Sequence, residues 1–301
     1  MKKAVILLNM GGARDQNELR EFLKNMFLDR RIINSPARFF VSFFMSRFRT
    51  PKVWKNYELI GGSKILEHTQ NLTNRLNTLS NGAYDTLFAM RYTKPNVTQI
   101  LENRHYDEIL LFPMYPHFSS TTTLSSFDDA NAFLKGKNIK VKRIERFFED
   151  ELFNQTIIDS IKKHYCEGAH LIFSAHSLPL SIAKNDPYPE EIKKHTEILS
   201  QMLTGEGLKF KGIHLAYQSK LGPIKWLEPS LGETLSRISP EPVIIYPISF
   251  TIDNSETDFE LDIFYRDIAK EFGITSYSVC KAQNDNDKFA EFLSGKIKGS
   301  F

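Results

Sequence analysis

The stretch AVILLNMGG, residues 4–12, is a short apolar run that ends in Asn9 and two glycines. The run is about five residues long, which is shorter than the apolar core of a signal peptide, and no small-residue cleavage site follows it. A continuous apolar run of this length is typical of a strand buried on both faces of a parallel sheet. We therefore interpret residues 4–8 as the first strand of an α/β sheet.

Similar runs recur along the chain and alternate with longer amphipathic segments. The predicted strands are residues 4–8, 86–90, 108–113, 139–143, 170–174, 212–216 and 243–247. The predicted helices are residues 16–27, 65–79, 152–164, 190–203 and 231–238. This alternation predicts the α/β fold class with mostly parallel, doubly wound sheets, which bind ligands in the loops that follow their strands.

The two halves of the chain also match each other in three places. The matched pairs, in chain order, are AVILLNMGG (4–12) with HLIFSAHSLP (170–179), FAMRY (88–92) with LAYQS (215–219), and EILLFPMYP (108–116) with PVIIYPISF (242–250). The matches predict two similar Rossmann-like domains with a cleft between them. We place the N-terminal domain at residues 1–145 and the C-terminal domain at residues 146–301.

The composition argues against nucleic-acid binding and against a membrane span. The chain has 301 residues, of which 41% are hydrophobic and 25% are charged, and its formal net charge is +3. No Lys/Arg-rich block of the kind that binds phosphates is present, so we expect no nucleic acid. No run approaches the roughly 20 apolar residues of a membrane span. Cys166 and Cys280 lack the spacing of a metal or redox pair, which favours a reduced, cytoplasmic setting.

One segment mixes aromatic and basic residues in an unusual way. PARFFVSFFMSRFRT, residues 36–50, would be apolar on more helix faces than a core contact requires, and its flanks are basic. One interpretation is a buried helix. The other is a surface, within residues 36–49, that contacts a flat apolar ligand bearing carboxylates, or the inner face of a membrane as a peripheral contact.

His176 is the histidine with the most informative position. It follows the predicted strand 170–174 and precedes a proline-containing loop, at the end of the sheet where parallel strands open to ligand. Most lone histidines are structural, and the other seven mostly lie in helical or loop contexts with no local partner. His176 is therefore our candidate for chemistry.

Two acidic residues share one face of a predicted helix. The stretch IDNSETD, residues 252–258, is interpreted as a loop that leads into a helix. Glu256 and Glu260 are then four residues apart on one face, where two carboxylates can bind a divalent cation or pass protons. Acidic residues at this place can also stabilise a helix N-terminus, which we prefer for Asp253 and Asp258.

A closed zinc site is not supported. The sequence has no pair of histidines at the spacing H-x-x-x-H or H-x-H and no C-x-x-C motif. One histidine and one or two glutamates from separate segments form an open, weak site. Such a site suits a metal that arrives and leaves.

The chain resembles the ferrochelatases, the enzymes that insert iron into a porphyrin to make haem. The resemblance covers nearly the whole length and is most specific in YQSKLGPIKWLEPS and FSAHSLP. The other motifs that carry it are LLNMGGA, FLKNMFLDRRII, YELIGG, MRYTKP, FPMYPHFSSTTTLSS, DPYP and FTIDNSETDFELD. It implies two doubly wound α/β domains, and ferrous iron and a porphyrin, protoporphyrin IX or coproporphyrin III, as substrates.

The resemblance also implies roles for individual residues. His176 and Glu256 are the implied metal-site pair, on opposite walls of the cleft, and Glu260 is the implied second helix acid. We prefer His176 as the proton acceptor, with Glu256 shared between metal delivery and proton removal. The candidate porphyrin contacts are Met10, Arg30, Arg31, Ile33, Ser63 and Phe118. Each of the two arginines is either a partner for a propionate or a surface residue.

Departures from the family pattern concern two places. Asn254 stands where many members have histidine, which puts more of the proton handling on His176 and the two glutamates. Ser63 stands at the third glycine of the family's IGGGSPL, here IGGSKIL, so the porphyrin-cleft edge is expected to differ. A cysteine-rich C-terminal tail is not present, so no iron–sulfur cluster and no permanently bound cofactor are expected.

Three alternatives remain open from the sequence. A related chelatase could use another metal and tetrapyrrole, such as cobalt with a reduced ring. A non-catalytic porphyrin or haem carrier would need the cleft but not the pair His176 and Glu256. A two-lobed solute-binding protein would need a secretion signal.

Overall fold

The computed structural model describes residues 1–220 and 222–301. Leu221, inside the YQSKLGP stretch, lies outside the described residues. The chain divides into two compact units, which we call the first unit (Met1–Arg146 with Asn284–Phe301) and the second unit (Phe147–Gln283). This differs from the sequence division, which assigns all of residues 146–301 to the C-terminal domain.

The first unit is built on a parallel four-stranded sheet of order β2-β1-β3-β4. The strands are β1 (Lys3–Asn9), β2 (Asp85–Met90), β3 (Glu108–Pro113) and β4 (Lys140–Arg143). Ile6 of the central β1 is in register with Leu87 of β2 and Leu111 of β3. Ile6 and Leu111 are fully buried, as expected for a parallel sheet that helices cover on both faces.

The second unit repeats this topology, with a parallel sheet of order β6-β5-β7-β8. The strands are β5 (His170–His176), β6 (Gly212–Gln218), β7 (Val243–Tyr246) and β8 (Tyr277–Val279). The three sequence matches fall on equivalent strands, and the predicted α/β class is confirmed. The apolar pattern does not predict β8, because three residues with a central serine are too short to give a periodic signal.

Helices flank each sheet, and the five predicted helices are present as α1, α4, α7, α9 and α10. The helices are α1 (Gln16–Leu28), α2 (Arg38–Phe48), α3 (Thr50–Leu59), α4 (Ile65–Ser80), α5 (Val97–Leu101), α6 (Ser125–Leu134), α7 (Glu151–Lys162), α8 (Leu180–Ala183), α9 (Tyr188–Gly205), α10 (Leu231–Ile238), α11 (Tyr265–Glu271) and α12 (Asp287–Ser300). Two further segments, Ser120–Leu124 and Glu256–Phe264, are π-helical.

The last helix belongs to the first unit because of what it packs against. The apolar face of α12, including Phe289 and Leu293, is buried, and α12 contacts α4. Arg75 of α4 forms an ion pair with Asp287. Lys142 Nζ of β4 donates to the carbonyl oxygen of Ser300 at 2.7 Å. These contacts connect the C-terminus to the first sheet.

Helix α2 exposes its aromatic side chains and buries its serines, the opposite of a usual amphipathic helix. Phe40 and Phe48 are 71% and 73% exposed, whereas Ser42 and Ser46 are 2% and 4% exposed. The Ser42 hydroxyl donates to the carbonyl oxygen of Lys24 in α1 at 2.8 Å. The interpretation of residues 36–50 as a buried helix is therefore wrong, since the small serines, not the phenyl rings, allow α2 to pack closely on α1.

Candidate metal site

His176 lies at the carboxyl end of β5, beside the point where the strand order of the second sheet changes direction. β5 is bonded to β6 on one side and to β7 on the other. Open α/β sheets bind ligands at such a point, because the loops leave in opposite directions and a crevice opens between them. The predicted position of His176 at a strand end is confirmed.

Backbone and side-chain hydrogen bonds fix His176 in place. Its N–H donates to Ser249 Oγ at 3.1 Å, and its carbonyl oxygen accepts from the Tyr188 hydroxyl at 2.9 Å. Ser249 Oγ and Tyr188 Oη are 2.7 Å apart. Because the Tyr188 hydrogen goes to His176, the Ser249 hydroxyl donates to Tyr188. Two residues, one in the segment after β7 and one at the start of α9, thus hold the backbone of one histidine.

The His176 side chain contacts Glu256 directly. His176 Nδ1 lies 2.8 Å from Glu256 Oε2, and the two side chains are 37% and 21% exposed. Both residues belong to the second unit. The implied placement of this pair on opposite walls of a cleft is therefore wrong, because a direct hydrogen bond leaves no room for a porphyrin between them.

Glu256 begins a π-helical segment, Glu256–Phe264, rather than an α-helix. Its N–H donates to Asn254 Oδ1 at 2.9 Å, and the Asn254 side-chain N–H donates to the carbonyl oxygen of Ile252 at 3.1 Å. Asn254 therefore supports the local backbone. Single π-turns are rare and occur frequently at functional sites, and here the segment carries both Glu256 and Glu260.

Gln218, the last residue of β6, and Ser219, which follows it, complete the site. The sequence pattern does not select either of them as a site residue. Gln218 Nε2 and Ser219 Oγ donate to Glu256 Oε2 at 3.2 and 2.8 Å. Ser219 Oγ also lies 2.5 Å from Glu260 Oε2, and its N–H donates to Glu260 Oε1 at 2.8 Å. The fold brings Gln218 beside His176, because β6 is the neighbour of β5 and the two residues are in register.

The electrostatics of the three titratable groups favour a charged His176–Glu256 pair and a Glu260 that is divided between its neutral and charged forms near neutral pH. Desolvation disfavours the charge on His176, but Glu256 outweighs it and raises the pKa of His176. Desolvation likewise opposes the charge on Glu256, yet His176, Ser219 and Gln218 lower the pKa of Glu256. Desolvation and the Glu256 charge raise the pKa of Glu260 to about 7.

Other histidines of the second unit are held differently. His195 is fully buried, its Nε2 lies 2.8 Å from Asn154 Oδ1, and burial lowers its pKa to about 3. His170 Nδ1 and His214 Nε2 are 2.8 Å apart, and desolvation lowers the pKa of both. These are neutral, structural histidines, whereas His176 faces a carboxylate. Within residues 1–220 and 222–301, no group of three or more His, Cys, Asp and Glu side chains could hold a metal.

The candidate porphyrin contacts lie in the first unit. Met10 follows β1 and Phe118 follows β3, at the equivalent change of strand order in the first sheet. Ser63 is buried, and its N–H donates to the carbonyl oxygen of Ala13 at 2.8 Å. Its hydroxyl points at Gly12, where a Cβ would lie only 2.5 Å away. Ser63 is thus a packing residue in this structure.

The remaining three candidates of the first unit differ in what they contact. Arg30 is exposed. Arg31 Nε donates to Asp128 Oδ2 at 2.8 Å. Ile33 packs against the core formed by α1 and Tyr57. Of the two arginines proposed for propionates, Arg31 is already held by a carboxylate and Arg30 faces solvent.

Comparison with solved structures concerns the fold. The fold is shared with SirB from Bacillus subtilis with Fe3+ (TM-score 0.57, 9% identity, 100% of this chain and 96% of that chain). It is also shared with CbiX, titled the terminal enzyme for biosynthesis of siroheme in denitrifying bacteria (TM-score 0.56, 12% identity, 100% of both chains). At this identity the likeness concerns the fold alone.

Sequence comparison then gives the family. The family model described as Ferrochelatase matches residues 2–300. Proteins named ferrochelatase are 45% identical in Campylobacter fetus subsp. fetus (99% of both chains) and 42% identical in Helicobacter pylori strain HPAG1 (99% of this chain, 93% of the relative). The chain belongs to the ferrochelatase family. It is a metal chelatase of haem synthesis, and the expected membership is confirmed.

Proposed function

We propose that this chain inserts ferrous iron into a porphyrin at the second unit, with His176 accepting the pyrrole protons and Glu256 as its partner. The observation that carries the proposal is the 2.8 Å contact between His176 Nδ1 and Glu256 Oε2. A base that a carboxylate orients at the open end of a parallel sheet is the arrangement that proton removal requires. Family membership supports the reaction, and the contact supports the residues.

The chemistry explains why a base is needed. A free-base porphyrin carries two N–H protons that point into the ring, and both must leave as the divalent cation enters. An enzyme that binds a distorted ring more tightly than a flat one exposes these protons, which lowers the barrier. The protons then need an acceptor close to the ring nitrogens. We assign that acceptor to His176.

The tautomer of His176 follows from its contact with Glu256. The raised pKa of His176 favours the charged form, which carries a proton on both ring nitrogens. His176 accepts a pyrrole proton only in its neutral form, in which Nδ1 donates to the Glu256 carboxylate and Nε2 holds a lone pair. Nε2 can accept a proton or bind a cation, but not both at once. We assign proton acceptance to Nε2. Since three donors converge on Glu256 Oε2, we assign contact with the cation to Oε1.

Glu260 extends the site by one carboxyl group. Its pKa of about 7 means that it gains and loses a proton readily at neutral pH. Ser219 connects it to Glu256, since the serine hydroxyl lies within hydrogen-bonding distance of both carboxyl groups. We propose that iron arrives and protons leave along Glu260 and Glu256. Each arriving cation favours the loss of protons from the groups it meets.

Porphyrin recognition is proposed for the first unit. Met10 and Phe118 follow β1 and β3, and both side chains are partly accessible, which suits contacts with an apolar ring. We propose Arg30 rather than Arg31 as the partner for a propionate, because Arg31 donates to Asp128. Bidentate contact between a guanidinium and a carboxylate would orient the ring. Ile33 and Ser63 would act by packing beneath these contacts.

The exposed face of α2 is proposed as a peripheral membrane contact. Phe39, Phe40, Phe43, Phe44 and Phe48 are all at least half exposed, and Arg47 and Arg49 lie beside them. Aromatic side chains with neighbouring arginines suit the boundary of an anionic membrane. In residues 1–220 and 222–301, no helix has the length and apolar character to cross a bilayer.

One assay tests the proposed reaction and separates the two porphyrins. The purified protein would receive ferrous iron under anaerobic conditions with protoporphyrin IX or coproporphyrin III, and metallation would be followed by the absorbance change. We expect the protein to insert iron into one of the two porphyrins faster than into the other. Insertion into neither porphyrin, with both bound, would contradict the proposed reaction and favour a carrier.

A further inference from the structure

Ser219 adopts a backbone conformation that serine rarely adopts. Its φ is +65°, and the other non-glycine residues with positive φ in the described parts of the chain are Asn81 and Asn284. Asparagine tolerates this left-handed region better than most residues, and glycine adopts it without strain. A serine here costs stability that a glycine would not. Such strain persists where the side chain serves a function.

The left-handed conformation turns two donors of one residue toward the two acids. The Ser219 N–H reaches Glu260 Oε1 at 2.8 Å. Its Oγ lies 2.5 Å from Glu260 Oε2 and 2.8 Å from Glu256 Oε2. The two carboxyl groups come from a π-helical segment, and Ser219 from the end of a strand. One residue therefore sets how the two acids approach each other.

We propose that Ser219 is a positioning residue whose Oγ holds the carboxyl groups of Glu260 and Glu256 close together. A divalent cation can then pass from Glu260 to Glu256 without a rotation of either side chain. This inference rests on the proposed function, because it takes the two glutamates as the metal path. It predicts that loss of the serine hydroxyl weakens metal binding and leaves porphyrin binding unchanged. A merely structural serine would affect both through folding stability.

The backbone makes a clean pair of variants possible. Ser219→Gly keeps the left-handed conformation and the N–H to Glu260, and removes the CH2OH side chain with its hydroxyl. Ser219→Thr keeps the hydroxyl, although a branched side chain is strained at positive φ. Asn81→Gly is the matched control, because it relieves the same conformation at the end of α4, outside the site.

Two readouts on the three variants test the proposal. The first is the dissociation constant for Co2+, used as an air-stable divalent probe without porphyrin. The second is the KM for Fe2+ in the metallation assay, with the KM for porphyrin and the melting temperature measured alongside. For Ser219→Gly we expect the Kd for Co2+ and the KM for Fe2+ each to rise about tenfold, because the variant loses one hydrogen bond to a charged group. Its melting temperature should stay equal or rise.

Ser219→Thr should show the reverse pattern, with a lower melting temperature and metal constants near those of the wild type. Asn81→Gly should change neither metal constant. Wild-type metal constants in Ser219→Gly would overturn the proposal, and so would an equal loss in Ser219→Gly and Ser219→Thr. If the wild-type chain inserts no iron, the proposed function fails, whereas the Co2+ measurement still decides the role of Ser219.

Discussion

His176 and Glu256 are 80 positions apart in the chain, yet Nδ1 of the histidine lies 2.8 Å from Oε2 of the glutamate. The contact joins the end of β5 to the start of the π-helical segment 256–264. It raises the pKa of His176 and lowers that of Glu256, against the desolvation of both. The imidazole is thus a stronger base than a free histidine, and its ring orientation is fixed.

Glu256→Gln should impair iron insertion severely. The amide keeps the shape of the side chain but cannot stabilise the imidazolium, so the pKa of His176 should fall below its value in the wild type. We expect kcat to drop about 100-fold or more, because the loss of general acid–base catalysis typically costs that much. Kinetics and an NMR titration of His176 would measure the two effects.

Glu190→Gln is the matched control for Glu256→Gln, because Glu190 is 77% exposed and forms an ion pair with Lys193 on its own helix. It should leave kcat within about twofold, since an exposed ion pair contributes little. A Glu256→Gln variant as active as this control would show that the carboxylate is not needed.

Glu260→Gln should change how folding stability depends on pH. Glu260 has a pKa of about 7 in the folded state and about 4.3 when unfolded. The folded chain therefore binds more protons between these values, so the contribution of Glu260 to stability is full below the unfolded pKa and is lost as pH rises through the folded pKa. Urea unfolding at pH 5 and pH 8 should show a smaller loss in Glu260→Gln than in the wild type. A loss of the same size in both would contradict the raised pKa.

Asn254→His should change activity only modestly. The Asn254 side chain is engaged with the backbone at Glu256 and Ile252, so a histidine there must first replace these bonds. Loss of such a cap costs about 1 kcal/mol, and a melting temperature lower by roughly 2–4 °C would report it. We expect kcat to stay within about threefold of the wild-type value. A change of this size corresponds to less free energy than a typical hydrogen bond contributes. A tenfold gain would mean that the site lacks a proton carrier.

The double variant Phe40→Ser and Phe48→Ser should weaken membrane binding. Both rings are more than two-thirds exposed, so the fold loses little, whereas each ring buried in a membrane contributes about 2 kcal/mol. The affinity for phosphatidylglycerol vesicles, measured by co-sedimentation, should fall roughly several-hundred-fold. The control is Leu152→Ser, which removes an exposed apolar side chain (67%) from α7. Unchanged sedimentation of the double variant, with a raised KM for porphyrin, would instead make α2 a porphyrin contact.

The sheets are predictable from the sequence because their signal is local. Buried parallel strands such as 4–8 and 170–174 appear as continuous apolar runs, and the order of the repeated runs is the order of the equivalent strands. β8 gives no such signal, since it has only three residues. The sequence of α12 has a clear apolar face, but this periodicity does not indicate against which of the two sheets the helix packs.

The site is predictable only in part, because its contacts join distant segments. His176 is selected by its place after a strand, and Glu256 and Glu260 by their spacing. Ser219 and Gln218 are not, because nothing in a serine or a glutamine indicates a left-handed backbone or a partner 37 or 38 positions away. The π-helical turn is equally hidden, since an α-helix places Glu256 and Glu260 on one face as well.

The most direct test of the proposed chemistry is His176→Ala, measured for iron insertion and for porphyrin binding in the same preparation. We expect insertion to fall by about 100-fold to 10,000-fold, with porphyrin binding, followed by fluorescence quenching, unchanged. His105→Ala, at an exposed loop position of the first unit, should behave as the wild type. Insertion by His176→Ala at a rate near that of the wild type would contradict the assignment of His176 as the proton acceptor.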